Sequence, residues 1–103
     1  MAPGTTTVPE IQPVSSAESE LEPMYRVIIH NDDVTPMDFV ILILERVFFI
    51  SGDAAVDIMY TAHFTGAAHV QSLPKTEAQN RIGRAHFAAG LEGYPLRFTM
   101  EPE

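Results

Sequence analysis

Apolar and polar residues alternate along "YRVIIH", residues 25–30, with Tyr25, Val27 and Ile29 on one side and Arg26, Ile28 and His30 on the other. A period of two in β-branched residues predicts a strand with one buried face. The run stops at Asn31-Asp32-Asp33, whose side chains bond nearby backbone amides and so favour turns. Thr35 then fits an N-cap, Pro36 the first helical position and Asp38 the third, where a carboxylate meets the positive end of the helix dipole. These start signals decide "FVILILERVFFI", whose Val and Ile content alone permits strand or helix. They predict a helix over residues 36–49, apolar nearly all round and therefore largely buried.

Ser51 is placed to cap a second helix, with Asp53 in its first turn and Gly66 just past its end. Helical spacing puts Val56, Met59, Tyr60 and His63 on one face, with Ala62 beside them. Residues 67–73, "AAHVQSL", read as a short strand, although they alternate poorly. Pro74 opens a third helix whose apolar face is Ala78, Ile82, Ala85 and Ala89. Gly83 and Gly90 weaken it, each by up to about 1 kcal/mol relative to alanine. Gly93 ends it, and "YPLRFTM" alternates as a last strand with Leu96, Phe98 and Met100 inward. The predicted order is β-α-α-β-α-β, an α+β fold with three helices on one face of a three-stranded sheet.

Composition narrows the organisation. The chain of 103 residues is 46% apolar and 19% charged, which suits one globular domain with a real core. Residues 1–23 differ: they hold four of the eight prolines and four acids but no basic or aromatic residue. Such a segment cannot bury enough apolar surface to offset chain entropy, so it is expected to be a disordered acidic extension, with the folded domain at 24–103. An idle terminus would have the same composition.

Charge and residue types then exclude several functions. The net charge is -8, and the six basic residues are scattered, which argues against nucleic acid as a partner and suits cationic or amine-bearing ones. There is no cysteine, so disulfide and thiolate chemistry are excluded. The longest apolar run, Phe39 to Leu44, falls far short of the roughly 20 residues that cross a bilayer. No basic and apolar leader opens the chain, so a cytoplasmic protein is the expectation.

Metal binding and catalysis are both poorly supported. The loop after His30 lacks the glycine and carboxylate positions of a calcium EF-hand, and no paired histidine or Glu-His spacing lies on one helix. There is no nucleophile elbow, and Asp32 and Asp33 diverge as neighbours, so no acid-base pair forms. No cofactor is implied and an enzyme is not expected. A site for an ammonium group beside an apolar slot fits better, because an ammonium offers three donors and needs several acceptors. Asn31, Asp32, Asp33 and His63 would supply them if the second helix packs near the first. Thr35, Met37, Val40, Met59 and Ala62 would wall the slot. On pattern alone, a plain turn at residues 31–33, with His63 merely facing its helix dipole, is the simpler and favoured reading of these residues.

"MYRVIIHNDDVTPMDFV", "MYTAHFTG" and "GYPLRFTMEPE" together resemble the ClpS family, adaptors that deliver N-end-rule substrates to a Clp AAA+ unfoldase. The resemblance spans residues 24–103 and is densest in Asn-Asp-Asp-x-Thr-Pro-Met followed by Met-x-x-x-His. It implies three antiparallel strands against three helices. It also implies that Asn31, Asp33 and His63, beside Asp32, hold a substrate's free α-amine. Thr35, Pro36, Met37, Val40, Met59, Ala62 and Leu96 would surround its first side chain, which in the family is Phe, Tyr, Trp or Leu. Met37 stands at the family's gate against β-branched residues, and the acidic extension matches one used in engaging the unfoldase, of the ClpA or ClpC type.

Two departures bear on specificity and docking. Ala62 replaces a usual valine, and "PKTEAQNR" replaces the common Ala-Glu-Thr-Lys pattern, with Arg81 keeping the lysine's charge for partner docking. A divergent paralogue with altered first-residue specificity or partner is the alternative.

Overall fold

The structure is a computed structural model and describes residues 22–103; the extension expected at 1–23 falls almost wholly outside them. Within them the order is β1 (Met24–His30), α1 (Met37–Arg46), α2 (Gly52–Thr65), β2 (Ala67–Pro74), α3 (Lys75–Leu91) and β3 (Arg97–Pro102). The strands form one antiparallel sheet in the order β2-β1-β3. The predicted β-α-α-β-α-β architecture is therefore the observed one.

The register explains which face is buried. Ile29 sits opposite Ala68 on one side and Phe98 on the other, and all three are buried. Arg26, one residue out of phase with Val27, faces outward and pairs with Glu101 at 3.5 Å. The poor alternation of β2 has a physical cause. A bulge between Val27 and Ile28 makes the pairing skip Val70, so Ala68 and Val70 face the core, and then Gln71, opposite Val27, faces it too. Bulges insert one residue and reverse the parity beyond it.

Small residues let α3 approach the sheet closely: Ala78, Ala85 and Ala89 are buried, and Ile82 is half-buried. Its C-terminal half is tied to β3 where the Phe98 N–H donates to His86 Nε2 at 3.0 Å. On α2 the buried row is Ala55, Met59 and Ala62, while Val56 is half-buried and Tyr60 and His63 are exposed. The predicted face is thus correct at Met59 and shifted by one position elsewhere.

Two boundaries of α1 differ from expectation. The helix ends at Arg46, because Phe48 must enter the core, where it lies 4.9 Å from the Phe98 ring. The chain achieves this by turning Phe49 to a φ of 57°, which exposes its ring. At the other end, Pro36 caps the helix, its carbonyl accepting from the Phe39 and Val40 N–H groups at 3.1 Å. Thr35 does not act as the N-cap, because its hydroxyl donates backward to Asp32 Oδ2 at 3.0 Å.

Candidate functional site

The loop between β1 and α1 is built on Asp32. Its Oδ1 accepts from the Val34 N–H at 2.8 Å and the Thr35 N–H at 2.7 Å, and its Oδ2 takes the Thr35 hydroxyl. Asx turns of this kind fix a loop from within. With both Asp32 oxygens engaged, the carboxylate of Asp33 and the amide of Asn31 are the loop's exposed acceptors.

A second bond joins this loop to α2. The Asn31 N–H donates to the Gly66 carbonyl at 3.0 Å, just beyond the helix end. Gly66 adopts a φ of 98°, a left-handed cap that suits glycine, and its own N–H returns to the Ala62 carbonyl at 2.8 Å. The end of β1 and the last turn of α2 are thereby locked side by side. His63, in that turn, is brought to the same rim as Asn31 and Asp33.

Between these elements lies a cavity of about 300 Å³. Its lining contains Asn31, Asp32, Asp33, Thr35, Pro36, Met37, Val40, Met59, Ala62, His63 and Leu96. These are the residues that the sequence nominated for the amine site and the slot. Burial grades them: Val40, Met59, Ala62 and Leu96 are buried and form the floor, whereas Met37 is 42% exposed at the mouth. The cavity is at the small end of the roughly 300 to 1,000 Å³ typical of ligand sites, a size for one side chain with its polar head.

Three further lining residues, Ile29, His30 and Val34, were not nominated. Each lies within two residues of the Asn31–Asp33 cluster in the chain, and that proximity was the signal available. His30 Nε2 lies 2.7 Å from the Thr99 hydroxyl on β3. Burial, and secondarily the Arg97 guanidinium, hold the His30 ring below the ordinary histidine pKa.

Arg81 lies away from the cavity. Its Nε donates to Glu77 at 2.7 Å, its Nη1 reaches Gln71 Oε1 at 3.1 Å, and its guanidinium stands 5.0 Å over the Phe49 ring. It clasps the α1–α2 turn to α3 and β2. Among the described residues no three His, Asp or Glu side chains are grouped to hold a metal, and no helix is long and apolar enough to cross a membrane.

Comparison with known proteins agrees with this architecture. The family profile of the ATP-dependent Clp protease adaptor protein ClpS matches residues 20–99. ATP-dependent Clp protease adapter protein ClpS 2 of Mesorhizobium japonicum is 41% identical over 101 residues, which cover 98% of each chain. ClpS 1 of Bradyrhizobium diazoefficiens is 42% identical over 80 residues, 78% of this chain and 79% of that protein. The structure of Agrobacterium tumefaciens ClpS2 bound to L-phenylalaninamide superimposes with a TM-score of 0.76 at 38% identity, covering 79% of this chain and 98% of that one. With a family match over most of its length and such identity to relatives, the chain belongs to the ClpS family of Clp protease adaptors.

Proposed function

We propose that this adaptor binds polypeptides through a free α-amine and a bulky apolar first side chain, Phe, Tyr, Trp or Leu, and delivers them to a ClpA- or ClpC-type AAA+ unfoldase. The observation that carries the reading is the junction of exposed acceptors, Asn31, Asp33 and His63, with a cavity floored by Val40, Met59, Ala62 and Leu96. The ligand of the Agrobacterium tumefaciens relative, an amino-acid amide with a free amine and a phenyl ring, has the chemistry such a junction suits.

The division of labour follows from the donors and acceptors. An ammonium donates to the Asn31 amide oxygen, to the Asp33 carboxylate and to a neutral imidazole at His63. Asp32 shapes the loop rather than receiving the amine, since its oxygens already accept from Val34 and Thr35. The side chain enters past Met37. Burying it contributes roughly 1.5 to 3 kcal/mol, and each charge-assisted hydrogen bond about as much. Two or three such bonds and the side chain together approach the roughly 8 kcal/mol of a micromolar complex, before the costs of association. Neither part suffices alone. No step makes or breaks a bond, so the protein acts as a binder and not as an enzyme.

Two measurements test this. In a set of peptides differing only in the first residue, those starting with Phe, Tyr, Trp or Leu should bind and those starting with Ser or Glu should not; indifference to the first residue would refute the reading. A Phe-initiated substrate should be degraded by ClpAP or ClpCP faster when the adaptor is added, and no acceleration with either would refute delivery.

A further inference from the structure

The amine reading needs the His63 ring to present a nitrogen to the cavity rim, yet His63 is exposed in the last turn of α2. An exposed side chain on a helix surface samples several rotamers unless a neighbour restrains it. The neighbour here is Phe64. The two rings meet edge to face, with centroids 4.9 Å apart and an interplanar angle of 75°. Phe64 in turn stacks on Tyr60, one helical turn back, at 6.0 Å and 13°. Phe64 is 76% exposed and lies outside the buried core, so maintenance of the fold does not account for its aromatic ring.

We infer that Phe64, backed by Tyr60, is a positioning residue that holds the His63 imidazole in the orientation that accepts from the substrate's α-amine. The inference rests on the amine-binding reading above. A ladder of three rings along one helix edge restricts the imidazole through ring contact, and a neutral imidazole keeps one nitrogen as an acceptor. Restraint matters because an acceptor already aimed avoids the entropy cost of ordering it on binding.

The test is a double-mutant cycle in the full chain, read by the anisotropy of a labelled Phe-initiated peptide. Phe64→Ala should weaken binding roughly two- to tenfold, the range that an edge-to-face pair supports. Phe64→Tyr keeps the ring and should bind like the parent protein. In the His63→Ala background, Phe64→Ala should have no further effect, because Phe64 acts through the imidazole. Thermal unfolding of Phe64→Ala should match the parent, as expected for so exposed a side chain. An equal loss with and without His63 would place Phe64 directly on the peptide and overturn the inference, and so would unchanged affinity in Phe64→Ala. Equal binding of an N-acetylated peptide by the parent protein would remove the amine reading itself, and would be seen before any variant is compared.

Discussion

The floor and the mouth of the cavity obey different constraints. Val40, Met59, Ala62 and Leu96 belong to the same continuous core as Phe48, Ile29 and Phe98, so the floor is shaped by the residues that hold the fold together. Asn31, Asp33 and His63 are exposed and add little to that core. Their placement depends instead on two local devices, the Asp32 turn and the bond from Asn31 to Gly66. On the proposed function, apolar size selection would therefore be coupled to stability, while amine recognition would be nearly independent of it. A chain built this way can alter or lose its ligand at the mouth without unfolding, whereas changes in the floor are felt by both.

That contrast can be broken at the floor first. Met59→Ala should lower unfolding free energy by about 2 to 5 kcal/mol, as deletion of buried methylenes and a sulfur usually does, and reduce peptide affinity with it. Urea denaturation measures the first and peptide titration the second; a variant of unchanged stability would separate floor from core.

The mouth should respond in the opposite way. Asp33→Asn should leave thermal unfolding unchanged yet weaken a Phe-initiated peptide by about 1.5 to 3 kcal/mol, the range of a charge-assisted hydrogen bond. Asp32→Asn in the same titration should cost both affinity and stability, since a carboxamide presents one acceptor oxygen where Asp32 uses two. If the two variants behaved alike, the division between a framing and a receiving carboxylate would be wrong.

A smaller effect is expected at the boundary of the two regions. Met37, half out in solvent, should act as a gate. Met37→Ala is expected to admit peptides starting with Val or Ile at unchanged stability, and continued rejection of them would assign the gate elsewhere.

The smallest predicted effect comes from His30. Its folded pKa lies below the ordinary value of 6.5, so the fold favours the neutral ring and the unfolded chain binds more protons. Its contribution to stability is therefore full above that value and is lost as pH falls toward the lowered one. Melting temperature should fall less between pH 7 and about 5.5 in His30→Asn than in the parent protein. Glu22, which accepts from the Thr76 amide and hydroxyl, is held below 4.5 and titrates outside this window.

Sequence pattern carried the element order because the start signals are local: Pro36, Ser51 and Pro74 mark three helices within a residue or so of their observed beginnings. What it missed was decided across the chain. Nothing in "RVFFI" ends a helix; the demand for Phe48 in the core does. The bulge at Val70 reconciles two strands and is invisible in either one alone. By residue type Asn31, Asp32 and Asp33 read alike as acceptors; the resemblance favoured Asn31 and Asp33, and the bonds from Val34 and Thr35 to Asp32 give a physical reason for that division. Convergence of the Asn31 loop with His63 depends on the Gly66 carbonyl, a contact between elements far apart in the chain. The resemblance to ClpS supplied that convergence before any geometry did, which is why Leu96 could be nominated from beyond α3.

Whether an amine and a side chain are read together is decided by one titration: a labelled peptide beginning with Phe against the same peptide N-acetylated. Acetylation removes the positive charge and two donors while leaving the phenyl ring intact, so affinity should fall at least about tenfold. Equal affinity for the two peptides would contradict joint recognition.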